Sequence, residues 1–157
     1  MKMWKNILNK LNGKSIIPEP SVTSESLNLF TDASLQGFGG FFNGYWFSHP
    51  RPATANHHIS VLELFAVLAA VSTWSIQLSN RQIIIFTDNE PIVSMWKSGS
   101  SKDKAIMALV RELFFTSTNH NISVTFRHIP GTNNVYADLL SCLQVERFMS
   151  IFLDCFP

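Results

Sequence analysis

Almost no net charge is present: twelve Lys and Arg offset eleven Asp and Glu, leaving +1 at neutral pH. That balance excludes a global basic field advertising a nucleic-acid partner, so any such binding has to come from local clusters. Cysteine is scarce. Cys142 and Cys155 have neither metal-ligand spacing nor the density of a disulfide framework, so reduced thiols in an intracellular setting, cytoplasm or nucleus, are expected. The most apolar run, residues 61–76, is interrupted by Glu63, Ser72, Thr73 and Ser75 and is too short to span a bilayer comfortably. Lys2, Lys5 and Lys10 open the chain without the apolar stretch of a secretory signal, so a soluble protein is expected. Repeats and low-complexity tracts are also missing. What is plentiful is apolar surface: 46% of the 157 residues, including thirteen Phe and four Trp, enough for the core of one globular domain.

Met3, Trp4, Ile7, Leu8 and Leu11 recur at helical spacing and stop at Asn12-Gly13, which predicts a short helix. Pro18 and Pro20 among Ser and Thr make the following residues an extended linker. Residues 1–26 therefore read as an appendage and 27–157 as the main domain. Residues 27–31 form a strand ending on Asp32-Ala33-Ser34. Gly37, Gly39 and Gly40 lead into an aromatic run, 41–47, with Asn43-Gly44 at its middle, a hairpin signal. After a loop with Pro50 and Pro52, a helix over 60–78 opens with Ser60 and Glu63 placed as a capping box. It is apolar on nearly all sides, which predicts a central, buried helix. A strand over 82–86 ends on Thr87-Asp88-Asn89, and a short helix over 91–97 follows. Helix 103–118 lines up Ile106, Leu109, Val110, Leu113 and Phe114 on one face. A strand over 122–126, a loop at Pro130-Gly131-Thr132-Asn133-Asn134 and a helix from Val135 complete the order βββαβααβα. The expected fold class is α/β, a five-stranded mixed sheet with helices packed on it.

Two strands end alike, Phe30-Thr31-Asp32 and Phe86-Thr87-Asp88, and strand exits are where open sheets carry ligand chemistry. Singly, each Asp reads as a turn opener and Glu63 as a helix cap. Asp138, flanked by Ala137, Leu139 and Leu140, is expected to turn inward, where a lone carboxylate is too costly to keep ionised. His128, before the loop, can face the same point. Four carboxylates cannot share a pocket ionised unless cations compensate them. Oxygen-only donors select Mg²⁺ or Mn²⁺, and two such ions roughly 4 Å apart would activate water and stabilise the leaving oxygen of a phosphodiester.

Leu29-Phe30-Thr31-Asp32-Ala33-Ser34, Leu62-Glu63-Leu64-Phe65, Thr87-Asp88-Asn89, and His128-Ile129-Pro130-Gly131 with Asn134 and Ala137-Asp138-Leu139-Leu140-Ser141 together resemble type 1 ribonuclease H. Within it they look like the ribonuclease H domain of retrotransposon reverse transcriptases. Gln144-Val145-Glu146-Arg147-Phe148 is similar to the tyrosine-recombinase retroelements of the DIRS and Ngaro kind. Asn12-Gly13-Lys14-Ser15 and its surroundings resemble the segment that joins polymerase to ribonuclease H in those elements. The resemblance implies an endonuclease that hydrolyses the RNA strand of an RNA–DNA hybrid to a 3′-hydroxyl and a 5′-phosphate. Asp32, Glu63, Asp88 and Asp138 would hold two Mg²⁺ ions, with Mn²⁺ able to substitute. His128 would assist proton transfer or product departure beside a mobile loop at 130–134. Ala33, Ser34, Gln36, Asn89 and Asn134 would contact the hybrid, small residues letting backbone approach the 2′-hydroxyl. The implied partners are the hybrid and a reverse transcriptase domain in a parent polyprotein, with no membrane.

Cys142 stands where that family usually has Arg, and the stretch 98–102 leaves no room for a basic protrusion. Weak hybrid binding by the isolated domain is therefore expected, offset when a tethered polymerase raises effective concentration. The alternative is a catalytically weak or inactive domain that binds nucleic acid or protein. A transposase or integrase of the same fold usually ends on a catalytic Glu, against which the His-x-Pro-Gly loop and Ala137-Asp138 argue. His57-His58 reads as solvated loop, since adjacent side chains diverge. Lys97, Lys102 and Lys104 line the DNA strand or simply a solvated helix end. Trp46, Trp74 and Trp96 read as core. The apolar tail, Leu143, Phe148, Ile151, Phe152 and Phe156, packs on the domain or on a neighbour.

Overall fold

Parallel pairing of two apolar strands, with a hairpin hung on one side, organises the molecule. The computed structural model describes residues 26–52 and 58–155. The expected amino-terminal helix, most of the linker, His57 and Phe156 lie outside the described residues. Chain order is β1 (Leu27–Ala33), β2 (Gly37–Phe42), β3 (Tyr45–Pro50), α1 (Ile59–Thr73), α2 (Ser75–Leu78), β4 (Gln82–Thr87), α3 (Glu90–Ser98), α4 (Lys104–Asn119), β5 (Ser123–His128), a 3-10 turn (Gly131–Asn133), α5 (Val135–Ser141) and α6 (Val145–Cys155). The five strands form one mixed sheet in the order β3-β2-β1-β4-β5. Pairs β1–β2 and β2–β3 are antiparallel, and β1–β4 and β4–β5 are parallel. Asn43 and Gly44 both take left-handed backbone, φ 46° and 84°, the successive positive angles that a two-residue hairpin turn requires.

One face of the sheet, through Leu29, Ile83, Ile85 and Phe126, packs on Leu64, Val67 and Val71 of α1 and Leu113 of α4. Phe41, Leu139, Leu140 and Phe148 form a second cluster on the opposite face, under α5 and α6. Trp74 is buried with its ring against Phe42 and Phe47, and Trp96 leans on Phe126. Trp46 is partly exposed, resting on Phe148. Phe114 departs from the expected apolar face of α4: it is 41% exposed and meets the ring of its neighbour Phe115.

Several boundaries differ from the sequence expectation. The helix over 60–78 breaks at Trp74, which caps both α1 and α2. The final helix is two, because Leu143 adopts φ 58°. There the Gln144 amide donates to the Leu139 carbonyl and the Leu143 amide to that of Leu140, the paired bonds that close a helix through a left-handed residue. The capping box does not form. His58 caps α1, its Nδ1 accepting from the Ser60 amide at 3.4 Å, while Ser60 and Glu63 turn across to the end of β4.

The apolar tail packs on the domain. Phe148 is fully buried, ringed by Phe41, Trp46, Tyr136 and Phe152. Phe148→Ala should lower the free energy of unfolding by about 3–5 kcal/mol, the usual range for emptying a filled aromatic site. A urea midpoint unchanged by that substitution would show that α6 does not contribute to the core.

Candidate active site at the sheet edge

The parallel register sets Phe30 beside Phe86, their rings stacked at 4.8 Å. Because alternate residues share a face, Asp32 and Asp88, two residues further on, leave the sheet together at the same edge. Both strands run longer than expected, so Asp32 lies within β1 and His128 ends β5. His128 is the register partner of Thr87, which places it one residue from Asp88. Glu63, one turn into α1, reaches the same edge and accepts from Thr87 Oγ1 at 3.5 Å.

Helix α5 arrives from the other face. Gly39, the partner of Asp32 in β2, makes this possible: a Cβ there would lie 2.5 Å from Leu140 Cβ, so only glycine lets the helix press onto the strand. Ser48 Oγ donates to the Leu140 carbonyl at 2.6 Å and Ser34 Oγ to that of Ser141 at 2.8 Å. Ser141 Oγ in turn donates to Asp32 Oδ2. The loop before α5 is anchored too, by Asn134 Nδ2 donating to the Thr31 carbonyl at 3.1 Å. Gly131 sits against Asp88, where a Cβ would meet Oδ2 at 3.1 Å.

Asp32 is pushed up to about 6, chiefly by burial, with Asp88 and Asp138 adding to the rise and the Ser141 hydrogen bond opposing it. Glu63 is pushed up to about 7, again chiefly by burial; Asn89 and Thr87 oppose the rise through hydrogen bonds, while Asp88 and Asp32 reinforce it. The carboxylates thus sense one another. Asp138, however, does not turn inward as its apolar neighbours suggested, and it is exposed, as is Asp88. Helical geometry gives the reason: Ala137, Leu140 and Ser141 occupy the sheet-facing side of α5, and the residue one step after Ala137 rotates by about 100° away from it. Among the described residues no three acidic, His or Cys side chains stand close enough to hold one metal ion. The donor chemistry still suits a hard divalent cation, since two half-buried carboxylates crowded by two others offer oxygen alone.

Of the expected substrate contacts, Gln36 is exposed, while Ser34 and Asn89 are half-buried and already engaged. Ser34 Oγ accepts from the amides of Gln36 and Gly37; Asn89 caps α3 by accepting from the Ile92 amide and donates to Ser60 Oγ. Ala33 and Asn134 are buried, so their side chains serve the frame rather than a surface. Lys97, Lys102 and Lys104 are exposed. Cys142 is half-buried with Sγ 4.0 Å from Asp138 Oδ1, beside the acidic edge. Sequence reasoning attached no role to Ser141, Gly39 or Gly131 at this edge. The Ser141–Asp32 bond spans 109 positions, and no local pattern signals it.

A family model described as reverse transcriptase-like matches residues 44–143, a span that contains Glu63, Asp88, His128 and Asp138, with Asp32 ahead of it. The enzymatic polyprotein of Carnation etched ring virus is 29% identical over 150 aligned residues, which cover 88% of this chain and 21% of that polyprotein. The chain therefore spans about a fifth of that relative's length. Among solved structures, a ribonuclease H1 isolated from compost superposes with a TM-score of 0.61 at 20% identity, over 73% of this chain and 91% of the other. The N-terminal ribonuclease H domain of a Mycobacterium tuberculosis protein gives 0.61 at 12%, over 74% and 95%. The ribonuclease H1 of Halobacterium salinarum gives 0.59 at 14%, over 74% and 94%. The fold is that of ribonuclease H.

Proposed function

The chain belongs to the reverse transcriptase-like family, and we propose that it is the ribonuclease H domain of a retroelement polyprotein, cutting the RNA strand of RNA–DNA hybrids. The observation that carries this reading is the pair Asp32 and Glu63, half-buried and crowded by Asp88 and Asp138 at one sheet edge. Carboxylates so placed oppose one another's ionisation and favour a divalent cation among them. Asp32, Glu63, Asp88 and Asp138 would hold Mg²⁺ or Mn²⁺, ions that activate water and stabilise the leaving oxygen of a phosphodiester. The chain's own residues hold the frame. Ser141 occupies one oxygen of Asp32, Thr87 orients Glu63, and His128 stands at the end of β5 where its imidazole can take or give a proton. The turn at residues 34–37, tied by Ser34 Oγ, would present fixed backbone to the 2′-hydroxyl. A polymerase in the same polyprotein would deliver the hybrid at high effective concentration. The finer affiliation to tyrosine-recombinase retroelements rests on residues 144–148, in which Phe148 is also the core anchor of α6.

One observation favours the second reading, a non-catalytic nucleic-acid or protein binding module: no three potential ligands among the described residues approach one point. Incubation of a labelled RNA–DNA hybrid with Mg²⁺ or Mn²⁺, beside single-stranded RNA, double-stranded RNA and the Asp88→Asn variant, separates the two. Cutting confined to the RNA strand of the hybrid and lost in the variant is expected. An intact hybrid at high protein concentration and low salt, with the polymerase portion restored, would leave the binding module.

A further inference from the structure

Ser141 ends α5 fully buried, so its hydroxyl has to find a partner inside the protein. Two acceptors are in reach: Asp32 Oδ2 and, at 3.0 Å, the carbonyl of Asp138 one turn earlier. A hydroxyl has one proton to give. The carbonyl one turn back is where a helical serine ordinarily bonds. A carboxylate is the stronger acceptor, and here it also makes the shorter contact.

The backbone that carries this hydroxyl is held from three directions. Ser34 Oγ donates to the Ser141 carbonyl and Ser48 Oγ to the Leu140 carbonyl, at a helix end where carbonyls lack partners within the helix. On the sheet side, a Cβ on Gly37 would come within 3.1 Å of the Ser141 carbonyl oxygen, and one on Gly39 within 3.0 Å of its amide nitrogen. Ser34 Oγ also accepts from the amides of Gln36 and Gly37, so its one donor and both acceptor positions are occupied. Every member of this chain of bonds is satisfied, the condition under which a buried polar network is rigid. A donor on so fixed a backbone sets the plane of the carboxylate it meets.

We propose that Ser141 is a positioning residue: its hydroxyl holds Oδ2 of Asp32 and so fixes the orientation in which that carboxylate meets the divalent cation. The inference rests on the metal reading above and adds a residue to it. Ser141 acts through Asp32 and not on the reacting atoms. Partners that orient a metal ligand contribute about 10–100-fold to metal affinity or activity.

Mg²⁺ is the probe, titrated into the full chain at pH 8 without hybrid and followed by heteronuclear NMR. In Ser141→Ala its dissociation constant should rise about 10–100-fold over the parent's. Ser48→Ala is the control, since Ser48 clamps the same helix turn through the Leu140 carbonyl and bonds no carboxylate. It should lower the unfolding midpoint in chelator and leave the Mg²⁺ dissociation constant in place. In cleavage at subsaturating Mg²⁺, Ser141→Ala should lower kcat with KM for the hybrid unchanged, and excess Mg²⁺ should restore the rate. Mg²⁺ binding by Ser141→Ala equal to the parent's, or an equal loss in Ser48→Ala, would overturn the proposal and leave the metal reading standing. A parent that binds no Mg²⁺ would overturn both. If the alanine variant does not fold, Ser141→Cys, close in size but only a weak donor, is held to the same outcomes.

Discussion

Asp32→Asn should leave an RNA–DNA hybrid uncut and, in the same tube, make the protein harder to unfold. Loss of a partner that merely orients a metal ligand costs roughly 10–100-fold, so loss of Asp32, in its proposed role as a ligand itself, should exceed about a hundredfold in cleavage rate. The stability effect has the opposite sign. In the folded protein Asp32 titrates near 6, against 3.8 ordinarily. Below pH 3.8 the carboxyl is protonated in both states. Between there and about 6 the folded state keeps a proton that the unfolded chain has released, so stability falls as pH rises. Above about 6 the cost of the half-buried charge is fully present. Asparagine removes that charge and can still accept from Ser141. At pH 8 with chelator the gain should be on the order of 1–3 kcal/mol, or about 2–10 °C in melting temperature for a chain of this size. At about pH 3, below both titrations, the two proteins should melt together. A variant that melts at or below the parent at pH 8 would remove the strained-carboxylate account, and one that cuts normally would remove Asp32 from the site.

Divalent ions should stabilise the parent strongly at pH 8 and weakly at pH 6. Protons and cations compete for the same oxygens: Glu63 is half protonated near 7 and Asp32 near 6, so acidification through that window withdraws donors. At a hundredfold excess over the dissociation constant, Mg²⁺ or Mn²⁺ should add about 2.7 kcal/mol of stability at the higher pH. The cleavage rate should rise through pH 6–7 and level above it, and chelation should abolish it. Calorimetry at pH 7 should show protons released as the cation binds. Cleavage that persists in excess chelator would exclude the metal reading, and a melting temperature indifferent to either cation would favour the binding module.

Much of this was readable along the chain, because the relevant signals were local. The Asn43-Gly44 turn, the twin endings Thr31-Asp32 and Thr87-Asp88 and the all-round apolar character of α1 each announce their structure within a few residues. Where local patterning misled, a distant contact or a geometric constraint had prevailed. Ser60 and Glu63 have the spacing of a capping box, but Asn89 and Thr87, at the end of β4, take both side chains. The apolar neighbours of Asp138 suggested burial, yet a helix carries successive residues to different sides. Leu143 ends α5 in a conformation that favours glycine, so nothing in its identity marks the break. Asn134 and Ser141 find their partners in β1, more than a hundred positions earlier.

Those long-range ties also fix when the edge can exist during synthesis. Ser34, Ser48, Thr31 and Asp32 are bonded to residues 92 to 109 positions later, and such contacts form only after a large loop has closed. A ribosome that has released residues through β5 has exposed Asp32, Glu63 and Asp88, but the strand face meant for α5 is still bare. Gly39 is then an open notch and the cluster around Phe41 lacks its other half. The nascent domain is therefore prone to sticking at that face until α5 and α6 emerge, and its carboxylate edge is complete only once that helical tail has folded back.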